Sequence, residues 1–149
     1  MGGGASVGEL GNGGAVRMDV LFVCVGNSAR SQMAKGFYNA LAARTRAESA
    51  GTEPAERVSR RAIEVMREKG IDISAEKPKL LTQEMVESAR KVVTMGCLSK
   101  ESCPFFLVDS GKLEDWALPD PKGKSLEEFR RVRDEIEMRV RKLVKEMEG

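Results

Sequence analysis

A cysteine, five intervening residues, an arginine and a serine stand together in Cys24-Val25-Gly26-Asn27-Ser28-Ala29-Arg30-Ser31. Those groups can carry out nucleophilic chemistry on a tetrahedral oxyanion. The thiolate is the attacking form of cysteine, and it is favoured where the N–H groups of a turn entering a helix converge with the helix dipole behind them. Cys24 is therefore expected to be an ionised nucleophile at neutral pH. Arg30 offers a planar fork of donors that can grip two oxygens at once, which lysine cannot imitate, and it is assigned substrate and transition-state binding. Ser31 can donate its hydroxyl proton to the sulfur and also suits the first helical turn as a cap. Val25, Gly26, Asn27, Ser28 and Ala29, with Arg30, make the expected substrate-binding loop, Gly26 and Asn27 being suited to left-handed backbone. A cysteine standing alone is more often a small buried hydrophobe. The apolar run before this one and the helical run after it argue for chemistry instead.

Asp120 is the complementary group. A thiolate that attacks a phosphate ester leaves an alkoxide or phenoxide that must be protonated, and Leu118-Pro119-Asp120-Pro121 holds a carboxyl on a stiff loop. An aspartate before proline is otherwise an ordinary turn residue. Cys97 and Cys103 can be read as small buried residues, as a metal pair or as a redox pair. In the redox reading, Cys97 attacks a Cys24-bound intermediate, expels a reduced product and forms a disulfide that Cys103 then resolves. The chain has no histidine. That removes a Cys-His nucleophile pair and leaves two thiolates as an incomplete zinc site, so no metal and no bound cofactor are expected.

These groups must be positioned by a fold, and 149 residues suffice for one domain with its own core. Hydrophobic content of 41% with 32% charged residues describes a globular protein without a membrane-spanning run. A net charge of +2 is too small to point to nucleic acid or an anionic membrane, so attraction for anions must be local. Three cysteines do not make a disulfide scaffold and no signal peptide opens the chain, so a reducing cytoplasm is expected; a monomer is expected as well. Residues 1–17, rich in glycine, read as a disordered tail, and 18–149 as the catalytic domain.

Apolar Val20-Leu21-Phe22-Val23 predicts a buried strand, followed by a helix from Ser31 to about Arg44. Strands are also expected over 46–49, 91–95 and 112–118. Helices are expected over 59–69, over 79–88 with a start at Thr82, and from Ser125 to about Glu146 with Phe129, Val132, Ile136, Val140, Leu143 and Val144 inward. Alternating strands and helices give an α/β fold, a doubly wound parallel sheet with its ligand site beyond the strands' carboxyl ends. Cys24, Cys97 and Asp120 all fall at such ends.

From Met18 to Lys145 the chain resembles the arsenate reductases built on the low-molecular-weight protein tyrosine phosphatase fold. The resemblance rests on Cys24 to Ala34 (CVGNSARSQMA), on Ser49-Ala50-Gly51-Thr52-Glu53-Pro54 and Gly70-Ile71-Asp72-Ile73-Ser74. It continues through Val92 to Cys97 (VVTMGC), Cys103-Pro104, Glu114-Asp115-Trp116, Asp120-Pro121 and Arg133-Asp134-Glu135-Ile136. It implies a three-layer phosphotyrosine phosphatase I-like fold, a four-stranded parallel sheet in flavodoxin-like order 2-1-3-4 flanked by helices. It also implies that Cys24 attacks arsenate, that Arg30 and the loop amides hold its oxygens, that Ser31 supports the thiolate and that Asp120 protonates the leaving hydroxyl. In the thioredoxin-coupled branch a second and a third cysteine carry the oxidation outward, and Cys97 and Cys103 match them by region. The segments TMGC and SAGTEP are instead similar to a branch that uses a low-molecular-weight thiol, so the external reductant is thioredoxin or such a thiol. Ala29 stands where many relatives carry a second loop cysteine. The alternatives are a tyrosine phosphatase working through a phosphocysteine, and a non-catalytic oxyanion-binding or redox-sensing module. The scarcity of aromatic residues tells against the first, and an intact Asp120 and Ser31 tell against the second.

Overall fold

A computed structural model of the protein describes residues 18–96 and 110–149. Four strands form one sheet: β1 (Val20–Cys24), β2 (Ala47–Gly51), β3 (Lys91–Thr94) and β4 (Leu113–Asp115), in the order β2-β1-β3-β4. Every neighbouring pair is parallel, with Phe22 opposite both Ser49 and Val93. Order and direction agree with the expectation. β1 is one of the two inner strands and is buried along its whole length, which is why its sequence is continuously apolar instead of alternating.

The helices are α1 (Arg30–Leu41), α2 (Arg60–Arg67), α3 (Gln83–Ser88) and α4 (Leu126–Glu148). Side chains of β1 divide the core by the two-residue strand period. Val20, Phe22 and Cys24 face the layer of α1, α2 and α4, and Leu21 and Val23 face Leu81, Val86 and Ala89 around α3. The result is three layers. Ser59, Thr82 and Ser125 each cap a helix by accepting from the N–H three residues on, in Ala62, Met85 and Glu128. The inward stripe of α4 runs as expected through Phe129, Val132, Ile136, Val140 and Leu143.

Three differences have physical causes. Helix α1 stops at Leu41, because Ala42 turns to extended backbone. β4 covers three exposed residues, not seven; Trp116 is buried against Phe22, Leu118 is buried after it, and Ala117 between them has a φ of 49° that a strand cannot accommodate. Ser31 does not cap α1. The N-cap is Ala29, without a side-chain bond, and Ser31 lies inside the helix with another task.

Two polar clamps secure the helical layer. Arg133 Nη1 donates to the Val65 carbonyl at 3.0 Å and to Glu68 at 2.6 Å, joining α4 to α2. Hydrogen bonds from Arg130 and then Arg133 hold the Glu68 carboxyl down at about 2. At the far end of α4, the Glu148 carboxylate accepts from the N–H groups of Ala43, Arg44 and Thr45 and from the Thr45 hydroxyl, at 2.7 to 3.2 Å. These donors, the Thr45 hydroxyl foremost, bring its pKa down to about 2.

Candidate active site

Because the chain crosses from β1 to β2 on one side and to β3 on the other, the carboxyl ends of β1 and β3 open a crevice at the switch of strand order. Cys24, 3% exposed, is the last residue of β1 and lies in that crevice. The five residues between it and α1 form a ring whose carbonyls are all turned away. The carbonyls of Cys24, Val25 and Gly26 accept from the N–H groups of Thr52, Glu53 and Ala55, that of Asn27 from Gln32 Nε2, and that of Ser28 from the Ser59 N–H, at 2.8 to 3.2 Å. In a trans peptide the N–H points opposite to the C=O. The N–H groups of Val25, Gly26, Asn27, Ser28 and Ala29 are thereby directed inward. Asn27 shows the result, its N–H donating to the Cys24 Sγ at 3.1 Å.

Side chains complete the surroundings of the sulfur. Ser31 Oγ lies 3.0 Å from Cys24 Sγ and accepts from Asn27 Nδ2 at 2.7 Å, leaving its own proton for the sulfur. Asn27, fully buried with a φ of 50°, uses Oδ1 to accept from the Lys79 N–H at 3.0 Å and from Gln32 Nε2 at 3.2 Å. Both donors that reach the sulfur stabilise negative charge on it. Gly26, by contrast, is not in left-handed backbone, so that part of the expectation fails.

Arg30 is 4% exposed and its guanidinium is anchored at one corner. Nη1 donates to the carbonyls of Met95 and Leu118, both at 3.0 Å, and Nη2 lies 3.5 Å from Asp120 Oδ2. Those two carbonyls are held in register by one close contact. Gly96 has a φ of 81°, and a side-chain methyl there would overlap the Ala117 Cα. Asp120 itself is half exposed, its Oδ1 accepting from the Lys122 N–H at 3.0 Å. A cleft of about 240 Å³ joins Cys24, Gly26, Arg30 and Asp120 to Glu53 and Lys122 at its rim. A buried sulfur, inward amides, an anchored guanidinium and an exposed carboxyl thus meet in one place. Such a set can bind a tetrahedral anion, attack its central atom and protonate what leaves.

Compared with known proteins, residues 19–149 match the family described as low molecular weight phosphotyrosine protein phosphatase. The chain belongs to that family. An arsenate reductase of Staphylococcus epidermidis is 40% identical over 121 residues, which are 81% of this chain and 92% of that one. Among solved structures of the family, an arsenate reductase in the phosphate binding state is 38% identical with a TM-score of 0.78, over 87% of this chain and 98% of that one. A YwlE arginine phosphatase with a phosphorylated active-site serine is 28% identical with a TM-score of 0.79, over 89% and 97%.

Within this family member, the sequence brings out Cys24, Arg30, Ser31 and Asp120, and the fold gathers all four. Cys97 and Cys103 lie outside the described residues. The roles of Gln32, of Glu53 and of the Asn27 side chain were missed, because their partners or their cleft are made by distant segments. One signal was present for Gln32, a polar residue on the otherwise apolar face of α1 beside Met33 and Ala34. Among the described residues no cluster of three or more potential metal ligands occurs, and no helix is long and apolar enough to cross a membrane.

Proposed function

We propose that the protein is an arsenate reductase. The observation that carries the reading is the pairing of donors on the Cys24 sulfur, from Asn27 N–H and Ser31, with Arg30 and Asp120 on the same cleft; the relatives supply the substrate class. The Cys24 thiolate attacks arsenic and forms an S–As bond as an As–O bond breaks, and Asp120 protonates the departing oxygen. Arg30 Nη2 and the amides of residues 25–29 hold the remaining oxygens as charge gathers on them. A second thiolate, assigned to Cys97, then attacks the Cys24 sulfur. The S–As electron pair stays on arsenic, which leaves as arsenite, and a Cys24–Cys97 disulfide remains. Cys103 takes over that disulfide and frees Cys24, and an external reductant, the dithiol of thioredoxin or two molecules of a low-molecular-weight thiol, restores the pair and is itself oxidised to a disulfide. No bound cofactor enters this scheme.

The second reading is phosphate ester hydrolysis through a phosphocysteine. It is supported by the family match and by the arginine phosphatase of the same fold, and Asp120 beside Arg30 serves it equally, since reduction and ester cleavage both call for an acid there. Against a tyrosine ester, the cleft's lining among the described residues includes Val25, Ala29 and Ala55 and no aromatic side chain. A non-catalytic oxyanion-binding or redox-sensing module would need no leaving-group acid, and Asp120 lines this cleft. Turnover of arsenate with thioredoxin or with a small thiol, beside para-nitrophenyl phosphate without reductant, separates the readings. Mass mapping of disulfides after one turnover identifies the sulfurs that pair. A protein that hydrolyses the ester but leaves arsenate unreduced with every thiol would defeat the first reading.

A further inference from the structure

Residues 76–79 run beside the nucleophile loop as a strap clipped at both ends by ion pairs. At one end Lys35 Nζ, on α1, lies 2.7 Å from Glu76 Oε1 and 3.0 Å from Glu48 Oε1. At the other, Lys79 Nζ lies 3.0 Å from the same Glu48 oxygen. Lys35 and Glu48 are only 13% and 16% exposed, so these pairs are better shielded than ordinary surface bridges. Between the clips the strap turns two backbone groups toward the loop. The Lys77 carbonyl accepts from Gln32 Nε2 at 3.4 Å, and the Lys79 N–H donates to Asn27 Oδ1 at 3.0 Å. A buried amide can face either way, and an N–H that can only donate settles the matter. It places Asn27 Nδ2 on the Ser31 side, where it donates to Oγ at 2.7 Å and leaves the hydroxyl proton for Cys24.

We propose that Lys35 is a positioning residue for the nucleophile. Its ammonium binds Glu48 and Glu76 into one cluster and holds the strap where Asn27, acting through Ser31, presents a proton donor to the Cys24 sulfur. Without that charge Glu48 keeps Lys79, but Glu76 loses its cation and is repelled by Glu48, which frees that end of the strap and lets it shift. Asn27 then loses the N–H that orients its amide. Burial works against the charge on Lys35, but the bonds to Glu76 and Glu48 outweigh it and hold the proton more tightly than in a free lysine. The clip is closed across the neutral range. The inference rests on Cys24 being the nucleophile and is independent of which oxyanion it attacks.

The test is alkylation of Cys24 by iodoacetamide, followed by mass of the peptide that carries it. In Lys35→Met the rate near pH 7 falls about fivefold, while near pH 10, where any ordinary thiol is ionised, it is unchanged. Lys35→Arg keeps the wild-type rate, and in a Ser31→Ala background Lys35→Met has no further effect. Glu76→Gln, at a site more open to solvent, lowers the rate about twofold in the same pH-dependent way and covers the case in which Lys35→Met does not fold. Equal rates in Lys35→Met and wild type overturn the proposal, as does a loss that is the same at both pH values or survives in Ser31→Ala. A wild-type protein that fails to reduce arsenate would defeat the reaction proposed above and leave the alkylation result standing.

Discussion

The loop of residues 25–29 and the loop of residues 117–122 face each other across one cleft, and they are held in opposite ways. In the first, each carbonyl from Cys24 to Ser28 has a donor, and Asn27 and Ser31 are buried completely. In the second, Asp120 is half exposed and keeps its place through one bond from the Lys122 N–H and an ion pair of 3.5 Å to Arg30. Arg30 joins them, anchored at Nη1 to Met95 and to buried Leu118 at the start of the second loop, and paired at Nη2 with the exposed Asp120. The contrast follows the chemistry. Groups that stabilise charge on sulfur and oxyanion act best when fixed before the reaction, whereas an acid must reach a leaving atom that moves away from the nucleophile.

Variants on the two sides should therefore fail differently. Cys24→Ser, in the fixed loop, should lower arsenate reduction and any ester hydrolysis by about 10⁴-fold or more, read by single-turnover assays. Arg30→Lys keeps the charge but loses the fork, and a loss of about 10³-fold in kcat/KM is expected, with weaker phosphate binding by calorimetry. Asp120→Asn should lower kcat about 10²-fold and leave phosphate affinity unchanged; equal weakening of binding in both variants would erase the distinction between the loops. Gly96→Ala presses on Ala117 beneath Arg30 and should weaken phosphate binding about tenfold, an effect that disappears in an Arg30→Ala background.

Glu148→Gln is the control remote from both loops. Its carboxyl falls from 4.5 to about 2 on folding. Its stabilisation is therefore complete above about pH 4.5 and lost as pH falls toward 2. The variant should keep full activity, and its Tm should depend less steeply on pH over that interval than the wild-type Tm, as followed by circular dichroism.

The sequence disclosed those parts of the site that depend on local order. A buried run at 20–23 with a cysteine at its end, an arginine six residues on and a helix beyond them suffice to place Cys24 and Arg30. Asn27 was legible only as a loop residue, since the N–H that fixes its amide belongs to Lys79, 52 positions later. Gln32 shows only its polarity within a buried helix face, and one of its two carbonyl partners, Lys77, lies 45 positions away. The fourth strand was read too long because Trp116 and Leu118 are apolar for a different purpose. Trp116 packs against Phe22 and under Arg139 of α4, and Leu118 turns its carbonyl to Arg30. The cysteine relay was read from its residues alone, and Cys97 and Cys103 fall beyond the described part of the chain.

Gly51, at the end of β2, sits directly under the ring. A methyl group there would come within 2.5 Å of the Val25 carbonyl oxygen and 3.0 Å of the Asn27 nitrogen. The absence of a side chain at this one place acts as a gauge of the ring's diameter, since anything larger lifts two amides off their common centre. The seating of two ring peptides is thus limited by a residue of the neighbouring strand that lines no part of the cleft.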